Sequence, residues 1–213
     1  MEGTFSGETT ANLKEIMKAL SNIPVLVKIL SSSLGLTPGF EGPEQPNMMI
    51  PKHDGTIDSW VAPFIMAPIN TKNVHRTNFL ADFPYGEDFR YDEMMVTSAG
   101  DIGKQAAEMI AKANPLGGDD APKPGEGPTK EEREAGHYDV IFLGKTEDGD
   151  TASLCVKGDK DPGYGSTSRM IAETAITLLT SDADGGIGTP GSFLGEDLVK
   201  RLQDNAEINF AVE

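Results

Sequence analysis

The chain has 213 residues, 38% of them hydrophobic, which is enough to bury a core without a disulfide or a structural metal. Its 34 acidic and 18 basic residues give a formal net charge of −16, which argues against nucleic acid or an anionic membrane surface as a partner. Cys155 is the only cysteine and the three histidines lack metal-ligand spacing, so we expect no metal site. No apolar run reaches the roughly 18 residues of a membrane span, so we expect a single cytoplasmic domain covering residues 1–213.

The chain begins with two helical patterns. Apolar residues recur at helical spacing after Thr9 and Thr10, which predicts a helix that ends near Leu20 with either threonine as its cap. Pro24, a favourable first-turn residue, begins a second apolar helix that runs to about Leu30.

The next segment alternates irregular and regular structure. Residues 35–54 are rich in Pro and Gly and predict an irregular crossing rather than a strand. Asn70 or Thr71 is the predicted cap of a helix that runs to about Leu80. The stretch "FRYDEMMVTS", residues 89–98, predicts a strand.

A helix and a long loop occupy the middle of the chain. The helix is amphipathic, and its predicted inward face carries Ile102, Ala106, Met109, Ile110 and Ala113. Residues 114–136 are rich in Gly, Pro and charge, and they predict a long surface loop suited to act as a lid. A capping box at Thr129 and Glu132 predicts a short helix at the end of this loop.

The last third predicts a hairpin, two helices and a strand. Asp148-Gly149 is a strong turn signal between two β-rich runs. A helix follows over residues 166–180, with an inward face of Met170, Ile171, Ala175, Leu178 and Leu179. The next helix carries three leucines on one face, Leu194, Leu198 and Leu202. With the closing strand "EINFAVE", these elements predict an α+β fold in which helices cover a mixed, largely antiparallel sheet, without a Rossmann domain.

The stretch "LCVKGDKDPGYGSTSRMIAETAITLL" poses the question of a nucleotide site, because strand, Gly-x-Gly and helix also begin a dinucleotide-binding unit. Gly163 and Gly165 take the first two glycine positions, but Ser168 takes the third and no second strand follows. The helix, capped by Ser166 or Thr167, would still favour an anion at its amino end. Two alternatives stay open, a structural turn set up by Asp-Pro and a packed tyrosine, or the wall of a substrate or cofactor pocket.

Five separate blocks of the sequence can be compared with a known family, in this order along the chain: "WVAPFIMAPINTKNVHRTN", "YGEDFRY", "PKPGEGPTKEEREAG", "DPGYGSTSRMIAETAITLL" and "GIGTPGSFLGEDLVKRL". They resemble the C-terminal half of saccharopine dehydrogenase-like oxidoreductases, in the trans-acting enoyl reductase branch. No counterpart of that family's N-terminal Rossmann domain is found, so we expect a second half alone, truncated or free-standing. The resemblance implies an NAD(P) cofactor held by a separate Rossmann domain, and a homodimer. If the chain is such a half, the segment around Phe5 and the two leading helices should expose an unusual apolar patch.

The resemblance also implies site residues. His75, Tyr91 and Tyr164 are its proton-transfer candidates. Its candidates for substrate binding are Trp60, Phe64, Asn70, Arg76, Tyr85, Gly163, Gly165 and Thr167. Apolar core, helix capping or ordinary surface exposure would explain the same residues without a ligand.

The function implied by the resemblance is the substrate-binding or catalytic half of an NAD(P)-dependent oxidoreductase that acts on an unsaturated acyl or polyketide-type substrate. Two alternatives remain. One is a non-enzymatic binding or dimerisation module without a cofactor. The other is a cofactor-independent isomerase or lyase that uses His75 or a tyrosine as its general acid or base.

Overall fold

The computed structural model of the chain describes residues 6–21, 23–113, 123 and 125–212. Its helices are α1 (Gly7–Leu20), α2 (Pro24–Ser31), α3 (Ala67–Leu80), α4 (Gly100–Lys112), α5 (Lys130–Ala135), α6 (Gly165–Thr180) and α7 (Pro190–Asn205). Its strands are β1 (Lys52–Asp54), β2 (Ser59–Pro63), β3 (Met94–Val96), β4 (Tyr138–Lys145), β5 (Thr151–Gly158) and β6 (Ile208–Val212).

The predicted α+β class is confirmed, and the strands form two small sheets. Their orders are β1-β2-β3 and β4-β5-β6, and every pair of neighbouring strands in the described part of the chain is antiparallel. The antiparallel character was predicted, whereas one mixed sheet was expected where two separate sheets are found. The parallel strand pair of a Rossmann unit does not occur among the described residues.

The chain divides into two compact units. Unit 1 takes Met1–Asn12 and Pro122–Glu213, and unit 2 takes Leu13–Ala121. Each sheet therefore belongs to one unit. The expectation of a single domain over residues 1–213 stays a prediction.

Unit 2 is built around the first sheet and α4. Val61 pairs with Lys52 on one side and with Val96 on the other, and both Val61 and Ala62 are buried. β2 was not predicted, and Lys52–Asp54 was expected to be an irregular crossing, because strands of three to five residues carry little periodicity. The strand predicted over residues 89–98 is longer than β3, which spans Met94–Val96.

In unit 1, α6 and α7 pack against the second sheet. The buried core is formed by the three predicted leucines of α7 with Ala206 and Ile208, and the partly buried side chains around it are Val156, Met170, Phe193 and Phe210. The predicted hairpin is confirmed. β4 and β5 pair residue by residue, and Gly149 in the connecting turn has a φ of 93°.

The leading helices begin close to where the sequence placed them. Pro24 occupies the first turn of α2 as predicted. In α1 the predicted caps are wrong, because the helix begins at Gly7 and the Ser6 hydroxyl accepts a hydrogen bond from the amide of Thr9. Both helices expose apolar side chains, with the largest exposures at Ile16 and Val25. Phe5 lies outside the described residues, and an apolar patch that includes it stays a prediction.

The predicted caps of α3 are also wrong. The helix begins at Ala67 after Met66, with Pro68 in its first turn, so Asn70 and Thr71 lie inside it. Thr71 donates its hydroxyl to the Ala67 carbonyl at 2.7 Å, and Asn70 donates to a carboxylate from another segment. Their polar groups are thereby satisfied without a capping role.

The predicted inward face of α4 is wrong in part, since Ala106 and Ile110 are half-buried but the other predicted residues are exposed. Ile102 and Met109 are 79% and 72% exposed, whereas Gly103 and Ala107 are buried. A Cβ atom on Gly103 would lie 1.7 Å from the Ser98 carbonyl oxygen. Close backbone approach, which only the small residues permit, therefore decides which face is turned inward.

The inward face of α6 is wrong in part. Met170 packs against the core as predicted, but Ile171 and Leu179 are 69% and 86% exposed. Ser166 and Thr177 are buried instead, because each hydroxyl finds a hydrogen-bond partner.

The predicted capping box of α5 is confirmed. Thr129 accepts from the amide of Glu132, whose carboxylate accepts from the amide of Thr129. Residues 114–122 and 124 of the predicted loop lie outside the described residues, so a lid over 114–136 stays a prediction. Over the described stretches, the helices are too short or too polar to cross a membrane.

We expect Gly103→Ala to lower the free energy of unfolding by about 1 to 3 kcal/mol, because the new methyl group forces a shift against the Ser98 carbonyl. Gly185→Ala is the control, since a Cβ atom there has no neighbour within 4 Å, and we expect a change within about 0.5 kcal/mol. Urea denaturation measures both. Equal stability of the two variants would contradict the close approach.

Candidate functional site

The glycine turn of unit 1 is held by the carboxylate of Asp161. This side chain is 4% exposed, and it accepts hydrogen bonds from the amides of Gly163 (2.8 Å), Tyr164 (3.2 and 3.3 Å) and Gly165 (2.6 Å). Asp161 therefore caps α6, and the predicted caps Ser166 and Thr167 are wrong. The amides that a phosphate would need already have an anionic acceptor inside the protein.

The rest of the turn is also engaged in the fold. Ser166 and Tyr138 share a buried hydrogen bond of 2.9 Å between their hydroxyls, and Thr167 donates to the Pro162 carbonyl at 2.6 Å. Tyr164 accepts a hydrogen bond from the amide of Ser6 at the start of α1. These contacts favour the structural alternative for the turn.

Tyr164 was predicted to transfer protons. Desolvation raises the pKa of its phenol, but hydrogen bonds from the Ser6 and Thr9 hydroxyls and from the Ser6 amide outweigh this, so the pKa lies below its ordinary value. The same contacts tie Tyr164 to α1, with 3.1 Å between its hydroxyl and that of Thr9. A catalytic role for Tyr164 stays a prediction.

In unit 2 the structure brings together three of the predicted site residues, Asn70, His75 and Tyr91, with Gln45 and Glu93. We call these five residues the His75 cluster. Gln45 is its centre, because its side-chain oxygen accepts from His75 Nε2 (3.0 Å) and from the Tyr91 amide (3.1 Å). The Gln45 side-chain nitrogen donates to the carbonyls of Pro43 (3.1 Å) and Phe89 (3.2 Å). These bonds explain why residues 89–91 are not part of β3.

This arrangement fixes the protonation of His75. Since the amide nitrogen of Gln45 donates to two carbonyls, its oxygen faces His75, and Nε2 of the imidazole carries the hydrogen. His75 is 3% exposed, and desolvation lowers its pKa below the ordinary value of 6.5. His75 is thus a neutral imidazole near pH 7, and Nδ1 is its basic nitrogen.

The second half of the cluster is centred on Glu93. Tyr91 donates its hydroxyl to one carboxylate oxygen at 3.0 Å, and Asn70 donates to the other at 2.9 Å. Desolvation raises the pKa of Tyr91 far above its ordinary value, and the charge and hydrogen bond of Glu93 raise it further. Tyr91 is therefore a neutral phenol that holds its proton.

Aromatic rings surround this cluster. The Phe89 ring lies 5.5 Å from His75, 5.3 Å from Tyr85 and 6.0 Å from Tyr91, measured between ring centroids. Tyr85, a predicted substrate residue, thus lies beside the cluster and is 52% exposed. The aromatic contacts keep the imidazole in an apolar setting, consistent with its lowered pKa.

A cleft of about 470 Å³ lies next to the cluster in unit 2. It is lined by residues 31–34 and 43–49, and Gln45 belongs to both the lining and the cluster. Leu34, Met48 and Met49 supply its apolar side chains, and Met49 is 66% exposed. Three serines, Glu44, Gln45 and Asn47 line it as well, so the cleft offers both apolar and polar contacts to a small molecule.

The remaining predicted residues lie apart from the cluster. Trp60 stands in β2, with the Lys104 ammonium 5.5 Å from its ring centroid. Phe64 is half-buried just before α3. Arg76 donates to the Leu36 carbonyl at 3.0 Å, so its guanidinium already has a backbone partner. Substrate binding by these residues stays a prediction.

Sequence reasoning missed Gln45, Glu93 and the role of Asp161. A glutamine in a Pro-rich segment carries no local signal of its long-range partner 30 residues away. Asp161 precedes the amides that it caps, which is a pattern the sequence does display. Within the described ranges, no three His, Cys, Asp or Glu side chains group as metal ligands do.

Comparison with known proteins finds relatives that are longer than this chain. The chain is 33% identical over 230 residues to a Mycobacterium tuberculosis protein provisionally named a trans-acting enoyl reductase, with 94% of this chain and 55% of that protein aligned. It is 30% identical over 227 residues to the trans-acting enoyl reductase of Mycobacterium tuberculosis, covering 92% and 54%. The trans-acting enoyl reductase of Mycobacterium ulcerans is 28% identical over 237 residues, covering 95% and 55%.

The chain spans about half the length of the curated relatives it matches. No family model matches it, and neither does a solved structure. The predicted likeness to trans-acting enoyl reductases is confirmed by these relatives. The wider saccharopine dehydrogenase-like assignment stays a prediction.

We expect Asp161→Ala to lower the free energy of unfolding by about 2 to 4 kcal/mol, because three amides at the start of α6 lose their buried acceptor. Asp159→Ala removes an exposed carboxylate two residues earlier and serves as the control, with an expected change within about 0.5 kcal/mol. Chemical denaturation followed by circular dichroism measures both. If Asp161→Ala changed the free energy of unfolding no more than Asp159→Ala does, the capping role would be contradicted.

His75 should make stability depend on acid pH. Its folded-state pKa is lowered, so protonation penalises the folded state: the penalty is full below the folded-state pKa and disappears as pH rises above 6.5. We expect the stability of His75→Gln to rise less steeply than that of the wild type over this window. His137→Gln, at an exposed position, controls for the loss of a histidine. Denaturation curves between pH 4 and 7 measure the slopes, and identical slopes for wild type and His75→Gln would contradict the burial argument.

Proposed function

We propose that this chain is the substrate-binding half of an NAD(P)-dependent enoyl reductase, and that the cleft beside the His75 cluster receives an unsaturated acyl group. The observation that carries the proposal is the alignment of 92–95% of the chain with proteins named trans-acting enoyl reductases. The aligned region is about half of each relative. The proposal for this chain is therefore limited to substrate binding and proton transfer, and does not include hydride transfer.

The geometry of unit 2 supports an acyl ligand. Leu34, Met48 and Met49 offer apolar contact along the cleft, and methionine adapts well to a flexible chain. Gln45 connects the cleft wall with His75 through a 3.0 Å hydrogen bond. The pocket between α6 and α7 in unit 1 is smaller and is lined by polar and charged side chains, including Asp197 and Lys200. It suits an apolar ligand less well.

The glycine turn does not fit the nicotinamide nucleotide that the resemblance implies. A pyrophosphate needs free amides at a helix start, and the carboxylate of Asp161 already accepts from those of Gly163, Tyr164 and Gly165. A second anion there would also meet the charge of Asp161. We therefore assign no hydride step to the described residues.

His75 is the proposed proton-transfer residue of this half. Reduction of a carbon–carbon double bond requires one proton besides the hydride. His75, which is neutral near pH 7, would take up this proton at Nδ1 and pass it to the acyl carbon from the imidazolium form, which returns the imidazole to its neutral state. Tyr91 is less suitable, because its raised pKa and its bond to Glu93 retain the phenol proton. We propose that Tyr91, Glu93 and Asn70 hold the cluster in place.

This chain is proposed to bind the substrate and transfer the proton, so the hydride donor needs a separate binding domain. The nucleotide would be bound by a Rossmann domain outside the described residues, and the acyl substrate would be acted on in trans, as the relatives' names state of them. The alternative of a binding module without catalysis shares the same cleft. Turnover distinguishes the two, since only the reductase half is expected to support NADPH oxidation when a Rossmann partner is supplied.

We expect the trans-2-decenoyl thioester of N-acetylcysteamine to bind the full chain in isothermal titration calorimetry. Met48→Glu should weaken this binding by about tenfold or more, because a carboxylate replaces an apolar contact in the cleft. Leu179→Glu is the matched control, since Leu179 is 86% exposed on α6 in the other unit, and it should bind as the wild type does.

The nucleotide is tested in the same experiment. NADPH alone should give no heat of binding and no thermal stabilisation, because the turn amides are occupied by Asp161. Failure of the folded wild type to bind the thioester would overturn the acyl-binding proposal. Binding of NADPH that is lost in a Gly163→Val variant would overturn the structural interpretation of the turn.

A further inference from the structure

The β4 strand is an uncovered edge of the sheet in unit 1. The sheet order β4-β5-β6 leaves one side of β4 without a partner strand among the described residues. All eight residues of Tyr138–Lys145 pair in unbroken register with β5, so no bulge turns this edge away. Ile141, Phe142 and Leu143 at its centre are 51%, 40% and 43% exposed.

Isolated monomers protect such edges with a proline, a bulge, a short strand or a charge at the middle. β4 has none of these between its ends, since its sequence is "YDVIFLGK" and its charges stand only at Asp139 and Lys145. The opposite edge of the sheet, β6, has five residues against eight in β4. The long and apolar edge is therefore β4, which by its composition is suited to pair with another strand.

The sequence of β4 is complementary to itself. When two copies are placed antiparallel with Phe142 opposite Phe142 of the second copy, Asp139 stands opposite Lys145 and Ile141 opposite Leu143. Both pairs occur twice, because a two-fold axis through the Phe142 pair relates the copies. The register places unlike charges at both ends and apolar side chains between them.

The faces of the sheet agree with this register. Phe142 and Val140 share the face that packs on α6 and α7, because they lie in line with Val156 of the core. Asp139, Ile141, Leu143 and Lys145 alternate with these and lie on the other face. Asp139 already has Lys157 of β5 at 3.5 Å on that face, so Lys145 of the second copy would join it from the free side.

We propose that β4 is the dimer interface of this chain, where two copies join antiparallel about Phe142 into one continuous six-stranded sheet. The occupant is a second copy rather than an unrelated strand, because the ends of β4 match each other in charge. The edge of eight residues is small for a permanent interface, so the dimer is expected to dissociate in the micromolar range. This inference does not rest on the proposed reductase function.

Sedimentation velocity of the full chain between about 5 and 500 µM tests the interface, a range chosen around the expected dissociation constant. The wild type should shift from monomer to dimer across it. Ile141→Lys, at a half-exposed position, should stay monomeric, because a lysine would face Leu143 of the second copy. Val212→Lys makes the same change on the other edge strand, at a residue 83% exposed, and should dimerise as the wild type does.

A charge exchange tests the register. Lys145→Glu puts two like-charged pairs into the dimer and should weaken it by about tenfold, an effect that salt reduces. Adding Asp139→Lys restores unlike pairs and should recover most of the affinity, since its repulsion with Lys157 acts in monomer and dimer alike. Circular dichroism and the melting temperature verify the fold of each variant.

Each other result overturns the proposal. A wild type that is monomeric at the highest concentration removes the dimer, and a dimer that tolerates Ile141→Lys removes this interface. Dissociation by Val212→Lys instead would assign the contact to β6. Failure of the double exchange to recover the affinity that Lys145→Glu loses would remove the register about Phe142.

Discussion

The carboxylate of Asp161 is the interaction on which unit 1 depends. It accepts from three successive amides at the start of α6, and its own amide donates to the carbonyl of Arg133 at the end of α5. A Cβ atom on Gly136 would lie 2.6 Å from Asp161, so the chain after α5 passes directly over it. One buried residue, which follows β5 in the chain, thus connects α5 through its backbone amide with the start of α6 through its carboxylate. The same bonds leave the turn without the free amides that a phosphate would need.

Two kinds of polar arrangement therefore occur in the two units. The polar groups of the glycine turn already form hydrogen bonds with other groups of the protein, as expected of a structural element. The His75 cluster is also well bonded, but its central residue, Gln45, forms part of an open cleft, and its imidazole is neutral with Nδ1 as its basic nitrogen. A titratable group with a perturbed pKa beside a cleft is the arrangement expected of a functional site. The glycine turn thus stabilises unit 1, and the proposed function places ligand binding in unit 2.

The sequence predicted long elements well and buried faces poorly. The β4–β5 hairpin, the leucine face of α7 and the capping box at Thr129 depend on local patterns, which the sequence displays directly. The inward faces of α4 and α6 depend on contacts that helical periodicity does not show: Gly103 turns inward because it lies against the Ser98 carbonyl, and Ser166 because it bonds to Tyr138. For the same reason the family resemblance could nominate Asn70, His75 and Tyr91, but Gln45 emerges only when the chain is folded.

The buried face of α3 is mostly polar, which is not the composition that would give unit 2 its greatest stability. Besides Ala67, the residues buried there are polar: Thr71, Lys72, His75 and Asn78. Lys72 is 7% exposed and its ammonium donates to the Pro68 carbonyl, and desolvation lowers its pKa. A buried ammonium next to a carbonyl is less well compensated than one next to a carboxylate, and an apolar side chain of similar size would fold at lower cost. Polar burial of this kind lies on the helix that also carries His75, which is where the proposed function places the candidate site.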